Sequence, residues 1–361
     1  MKKNLKRIIG CALALVLVFT LAACSMSAPG VSESTAPAAT ESAAAKESVA
    51  PAATDAGGTK KADGDITIAV VPKALDNSIF IDAKIGAEEK AKELGIKMEW
   101  VGPAKSDAAE QVNVIEGLIQ KKVDGILISC NDADALKDVI DKAVDAGIPV
   151  GTFDSDSPNS KRSFYAGTDN YGIGKLGGEK MLKALPDGGK VAILTGVLGA
   201  PNLEARITGF KDAVKGSKIE VLPVQTGEDD VQKSVEVVAQ FTTANPDLAG
   251  WFFDGGWPLF ADPASSPELK EFSANGGKVI SVDSAYPMLQ FVQLGMVDQL
   301  IGQNYPKMGG LGVETIYKII KGDTTVDLGK TVDGVNNFID TGFEEIDKAN
   351  VEEILKTKTP Y

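Results

Sequence analysis

Residues 147–158 read GIPVGTFDSDSP, and residues 276–287 read GGKVISVDSAYP. In each stretch a glycine precedes a short apolar run. The run ends in Asp-Ser (Asp154-Ser155 and Asp283-Ser284), and a proline lies three residues beyond the serine. A run that is apolar throughout, bounded by turn residues, is the pattern of a parallel strand buried on both faces. The two copies mark the same place in two repeats of one plan.

Working outward, strand patterns at 66–71 (ITIAVV), 97–101, 125–129 and 150–153 alternate with amphipathic helical patterns at 79–94, 108–121 and 135–145. The alternation then repeats. Helical patterns at 171–185, 204–214 and 231–244 are interleaved with strand patterns at 191–195, 219–224, 249–253 and 279–282. Strands separated by helices mean βαβ units, and so an α/β fold of two doubly wound, Rossmann-like domains. In open parallel sheets ligands bind beyond the carboxyl ends of the strands. Asp154 and Asp283 stand there, one in each half, so two facing sheets would make a clamp with a cleft between them.

Composition excludes several activities. The chain has 361 residues and no histidine, so a Ser-His-Asp or Cys-His nucleophile system is absent. Beyond residue 24 there is one cysteine, Cys130, which excludes a Cys/His metal site and an intramolecular disulfide in the body. The net charge of −13 disfavours nucleic acid as a partner. Gly172-Ile173-Gly174-Lys175-Leu176-Gly177 spells GxGxxG, but no acid follows the next strand, so these glycines read as close helix packing rather than a cofactor site. No cofactor or metal is expected.

The first 23 residues read as a signal peptide: Lys2, Lys3, Lys6 and Arg7, then an apolar stretch, then Leu21-Ala22-Ala23-Cys24. That ending looks like a bacterial lipobox, with Cys24 as the lipidated residue. Four of the 37 basic residues and none of the 50 acidic ones precede Cys24, so the mature chain carries −17. Residues 25–65 contain no Ile, Leu, Phe, Tyr or Trp and read, with Cys24, as a disordered 24–65 tether.

Seven segments then carry a family resemblance: IAVVPKALDNSIF (68–80), VDGILISCNDADAL (123–136), AGIPVGTFDSD (146–156), AGTDNYGIGKLGGE (166–179), ARITGF (205–210), KVISVD (278–283) and QNYPKMGGLGVE (303–314). In this order they resemble the type I periplasmic solute-binding proteins, the ribose-binding-like group that serves sugar ABC importers. Val71-Pro72-Lys73 and Phe153-Asp154-Ser155-Asp156 look closer to the autoinducer-2-binding branch. The resemblance implies two lobes, 66–168 plus about 304–334 and 169–303 plus about 335–361. Three crossings would join them, near 166–170, 302–306 and 334–338.

It also points to a ligand-binding set: Lys73, Asn77, Phe80, Ser129, Asp154, Asp156, Arg206, Asp283 and Gln303, to which Trp257 is added from its neighbourhood in the chain alone. Carboxylates, Arg and Asn suit the hydroxyls of a sugar, and aromatics suit its ring face. Lys73 and Asp156 either enter the pocket, where they would pair, or lie on the surface. Phe80 and Phe153 are pocket or core residues. Asp254 and Asn131 are rim contacts or caps. The aromatic of the family pattern is absent near Asp229, and Trp257 stands as its replacement.

The expected function is a lipid-anchored, monomeric, extracytoplasmic sugar receptor of an ABC importer. It would bind a monosaccharide or similar polyhydroxy ligand, dock on permease subunits and catalyse nothing. The alternatives are a signalling receptor of the same shape and a hydrolase using Asp154 and Asp156 as acid and base. Without histidine, binding is expected to vary little between about pH 6 and 8.

Overall fold

The computed structural model describes residues 61–332, 334–358 and 360. The expected signal peptide, Cys24 and the tether up to residue 60 lie outside the described residues. Residues 61–65, expected as the end of that tether, are instead held against the body. Asp63 accepts hydrogen bonds from Lys321 Nζ (2.8 Å) and the Tyr317 hydroxyl (3.0 Å), and Lys61 pairs with Asp124 (2.7 Å). Opposite charges and the Tyr317 hydroxyl tie this apolar-poor stretch to the lobe surface.

The first lobe opens with β1 (Thr67–Val71), α1 (Phe80–Leu94), β2 (Lys97–Trp100), α2 (Ala108–Lys121), β3 (Gly125–Ile128), α3 (Ala133–Asp145), β4 (Val150–Phe153) and β5 (Phe164–Gly167). The second comprises α4 (Asn170–Ala184), β6 (Gly189–Thr195), α5 (Pro201–Val214), β7 (Ile219–Val221), β8 (Gln225–Thr226), α6 (Val231–Ala244), β9 (Leu248–Phe253), α7 (Pro267–Ala274), β10 (Lys278–Val282), α8 (Tyr286–Gln293) and β11 (Gln299–Gln303). The chain returns through α9 (Tyr305–Ile320), β12 (Lys330–Val332) and β13 (Val335–Asp340), then ends with β14 (Phe343–Asp347) and α10 (Val351–Ile354). Side-chain caps start many of the helices. Asp107, Asp132, Asp169, Asp230 and Asn304 each accept a first-turn backbone N–H.

The strand orders are β12-β13-β5-β4-β3-β1-β2 and β14-β11-β10-β9-β6-β7, with β8 beside β6. Pairing is parallel except at β12–β13 and β11–β14. Without these edges, both sheets run fifth, fourth, third, first, second in chain order. The Asp-Ser echo therefore falls after the fourth strand of each, β4 and β10.

The lobes are joined at Thr168-Asp169, at Asn304 and at Thr341-Gly342. The third junction differs from the expected 334–338, and 335–340 does not belong to the second lobe. Phe338, Ile339 and Asp340 pair in parallel with Tyr165, Ala166 and Gly167 of β5. The Phe338 ring stacks on Tyr165 at 5.3 Å, which holds the strand in the first sheet. The chain turns only at Gly342, with φ 73°.

Gly172 to Gly177 lie inside α4. A Cβ at Gly174 would overlap the Arg206 carbonyl, and one at Gly177 the Phe252 ring. The GxGxxG string is thus a packing surface that lets α4 approach α5. Gly174→Ala is expected to cost about 1–3 kcal/mol, read as a lowered melting temperature. Gly117→Ala, in α2 with nothing within 4 Å of the added carbon, is expected to leave stability unchanged or raise it by up to about 1 kcal/mol.

Candidate functional site

The site starts at the two echoed aspartates. Both are buried and both adopt left-handed backbone, φ 57° for Asp154 and 76° for Asp283, a conformation that aspartate tolerates better than most residues. Asp154 accepts hydrogen bonds from Ser129 Oγ (2.6 Å) and the Tyr305 hydroxyl (3.1 Å). Asp283 accepts from Gln303 Nε2 (2.9 Å) and the Gly256 N–H (3.2 Å). Gln303 Nε2 also donates to the Tyr305 hydroxyl (3.1 Å). A continuous relay thus runs Asp283–Gln303–Tyr305–Asp154 from one lobe to the other across the Asn304 junction. Burial raises the Asp283 pKa, with Arg206 opposing it.

Arg206 is 2% exposed, on α5. Its Nε donates to Asn170 Oδ1 and its Nη1 to the Asp254 carbonyl, both at 2.9 Å. Its Nη2 is buried without a partner. Burial works against its charge, but Asp283, Asp254 and Asp154 outweigh it and hold its pKa above the ordinary value. Asp254 Oδ2 accepts from Thr195 Oγ1 (2.6 Å), and burial pushes its pKa up to about 7. A carboxylate therefore titrates beside the guanidinium within the range where histidine would, which removes the basis for a pH-insensitive site.

Lys73, Asn77, Phe80, Asp154, Arg206, Trp257 and Asp283 all line one cavity between the lobes. Ser129 and Gln303 stand behind it and orient the two carboxylates. Asp156 does not join this set. It forms a bidentate pair with Arg162, 2.6 Å at each bond, and accepts from Thr152 Oγ1. Lys73 reaches Asn202 Oδ1 instead, at 2.9 Å. The expected Lys73–Asp156 pair is replaced because each finds a nearer partner, and an Asp154–Asp156 acid/base pair is equally unavailable. Phe153 is core, edge-on to Phe80 at 6.1 Å. Asn131 supports the Lys73 loop by donating to the Lys73 carbonyl (2.9 Å), and Asp254 carries Arg206; neither lines the cavity.

Tyr305, Asn202, Asp229 and Phe260 also line the cavity and were missed by sequence reasoning. Asn202 was legible in part, since it lies four residues before Arg206 and so on the same helix face. Asn304-Tyr305 also repeats Asn170-Tyr171 at the start of the other crossing helix. Asp229 takes the place searched for an aromatic, and its carboxylate accepts from Ser106 of the first lobe (2.9 Å). Gly196 makes room for Asp229 and the Trp257 indole, since a Cβ there would overlap both.

The cavity holds about 30 Å³, little more than one water, with Lys73–Asn202 and Ser106–Asp229 tying the lobes across it. Its chemistry is that of hydroxyl recognition: two oriented carboxylates, a guanidinium with an unspent N–H, amides and aromatic faces. Among the described residues no cluster of three acidic or cysteine side chains could hold a metal ion.

The periplasmic binding protein domain model matches residues 68–324. The D-ribose/D-allose-binding protein of Pseudomonas aeruginosa is 29% identical over 266 residues, covering 71% of this chain and 83% of that protein. The ribose import binding protein RbsB of Escherichia coli is 29% identical over 260 residues, 71% of this chain and 86% of its own. A solved ABC transporter solute-binding protein from Burkholderia graminis, in complex with D-arabinose, is 35% identical with a TM-score of 0.73. That match covers 80% of this chain and 98% of the other. These relatives are solute-binding proteins, not enzymes. With its two doubly wound lobes, three crossings and matching family model, the chain belongs to the periplasmic binding protein family, as a solute-binding protein of the type I fold.

Proposed function

We propose that the protein is the extracytoplasmic, sugar-binding component of an ABC importer, held at the membrane by lipid on Cys24. The observation that carries the reading is the Arg206 guanidinium. Its Nη2 has no protein partner, and it is enclosed by Asp154, Asp254 and Asp283 where both lobes meet. A hydroxyl both donates and accepts, so neighbouring sugar hydroxyls can satisfy the guanidinium and a carboxylate together. Asn77 Oδ1 takes the Ile79 N–H (3.2 Å), which leaves Nδ2 for a ligand oxygen. Phe80 and Trp257 offer apolar faces from opposite lobes. The sugars named for the relatives, ribose, allose and arabinose, support a monosaccharide over an autoinducer-2-like ligand.

A ligand that contacts both lobes binds the closed state more tightly and shifts the population toward it. The lobes therefore part to admit the sugar and close around it. The Lys73–Asn202 and Ser106–Asp229 bonds each contribute about 0.5–1.5 kcal/mol to closure without ligand.

Titration calorimetry with aldopentoses and aldohexoses is expected to find at least one that binds. Asp154→Ala and Arg206→Ala are each expected to weaken that sugar by about 10- to 100-fold, the worth of a hydrogen bond to a charged group. If neither a monosaccharide nor a glycoside of one binds, the sugar reading fails. Cys24→Ser is expected to move the protein from the membrane fraction to the medium or periplasm, as seen by fractionation; retention in the membrane counts against the anchor.

The Asp254 carboxyl adds a pH dependence of stability. Folding raises its pKa from 3.8 to about 7, so the native state keeps a proton that the unfolded chain has lost. Its contribution is therefore unfavourable, growing as pH rises from about 4 and complete above about 7. Asp254→Asn retains the acceptor for Thr195 but does not titrate. Melting curves are expected to show wild type losing stability relative to this variant between pH 5 and pH 8. A constant difference would contradict the assigned pKa.

A further inference from the structure

A second, larger cavity of about 500 Å³ lies on the hinge side of the first. It is lined by both lobes: Tyr165, Phe338 and Val335 from the first, Pro201, Asn202 and Ala205 from the second. Asn202 belongs to the walls of both cavities, and Asn170, in the wall of the second, holds Arg206 in the first. The two spaces therefore adjoin at α5. The size and mainly apolar, aromatic lining are those of a small-molecule site.

The polar groups around this cavity are largely spent. Asp156 is neutralised by Arg162, Asp169 caps α4 through the Gly172 N–H (2.8 Å), and the Tyr165 hydroxyl donates to the Asp154 carbonyl (2.8 Å). The rest of the lining is mainly apolar and aromatic, which suits an apolar occupant. Asn202 Oδ1 is taken by Lys73, which leaves Nδ2 as a donor at the junction.

We propose that the ligand is a small glycoside, its sugar held by Asp154, Arg206 and Asp283 and its uncharged aromatic or aliphatic aglycone in the hinge-side cavity. This rests on the sugar-binding reading above. Asn202 sets the specificity by bridging the two parts.

The test is calorimetry on the mature full-length protein with D-ribose, D-allose and D-arabinose and the α- and β-phenyl glycosides of each. For at least one sugar, a phenyl glycoside is expected to bind no more weakly than the free sugar. Val335→Trp, which fills the second cavity, is expected to weaken that glycoside at least fivefold more than the free sugar. Ala205→Leu serves the same purpose from the other lobe if Val335→Trp melts early. Free sugars that bind while every phenyl glycoside binds more weakly overturn this inference and leave the sugar reading standing. So does a filling variant that affects both ligands equally. If neither free sugars nor glycosides bind, both readings fall.

Discussion

The relay Asp283–Gln303–Tyr305–Asp154 is the constraint on which the rest of the site depends. A carboxylate taken out of water at the end of a buried strand must find donors or lose its charge. Each lobe meets that demand with an aspartate after its fourth strand, and each aspartate finds a local donor, Ser129 Oγ or the Gly256 N–H. The remaining donors come from residues on either side of the Asn304 crossing. The crossing therefore joins two strand ends electrically as well as covalently, and the Tyr305 hydroxyl accepts from one lobe and donates to the other.

Around that relay the charges are unequal. Three buried carboxylates, Asp154, Asp254 and Asp283, face one guanidinium. Arg206 keeps its charge because they surround it, whereas burial pushes the Asp254 pKa up to about 7 against the pull of Arg206. A missing histidine removes one titrating group from the physiological range; burial supplies another from a residue that in water would titrate well below it.

The position of Arg206 follows from glycines. Gly174 lets α4 come close enough to touch the Arg206 backbone, and Gly209 admits the Tyr171 carbonyl from the other side. In the first lobe, Gly86 and Gly309 do the same between α1 and α9, which starts at Tyr305. Each lobe thus seats its crossing helix against its first βα helix through small residues. Phe80, Tyr305 and Arg206 on these helices line the cavity, and Asn170 at the start of α4 holds Arg206 in place.

Much of this was legible in the chain itself. Apolar runs separated by amphipathic helices specify βαβ units because only burial on both faces tolerates such runs, and the repeated Asp-Ser ending places Asp154 and Asp283 at equivalent strand ends. Motif resemblance pointed to Arg206 and Asn77, and neighbourhood alone to Trp257; all three line one cavity. What the chain could not declare were partners chosen by proximity in space. Asp156 pairs with Arg162 rather than Lys73 because six residues of loop bring the guanidinium back onto it. Tyr305 joins the site because a helix from the far side of a crossing starts there, and residues 335–340 stay in the first sheet because Phe338 stacks on Tyr165. Strand and helix periodicity is a local property, fixed by neighbours in sequence. The choice among buried charges, the pKa of Asp254 and the space beside Asn202 are set by distances between segments far apart in the chain, such as Tyr305 and Asp154, 151 residues apart, and only the folded chain decides those.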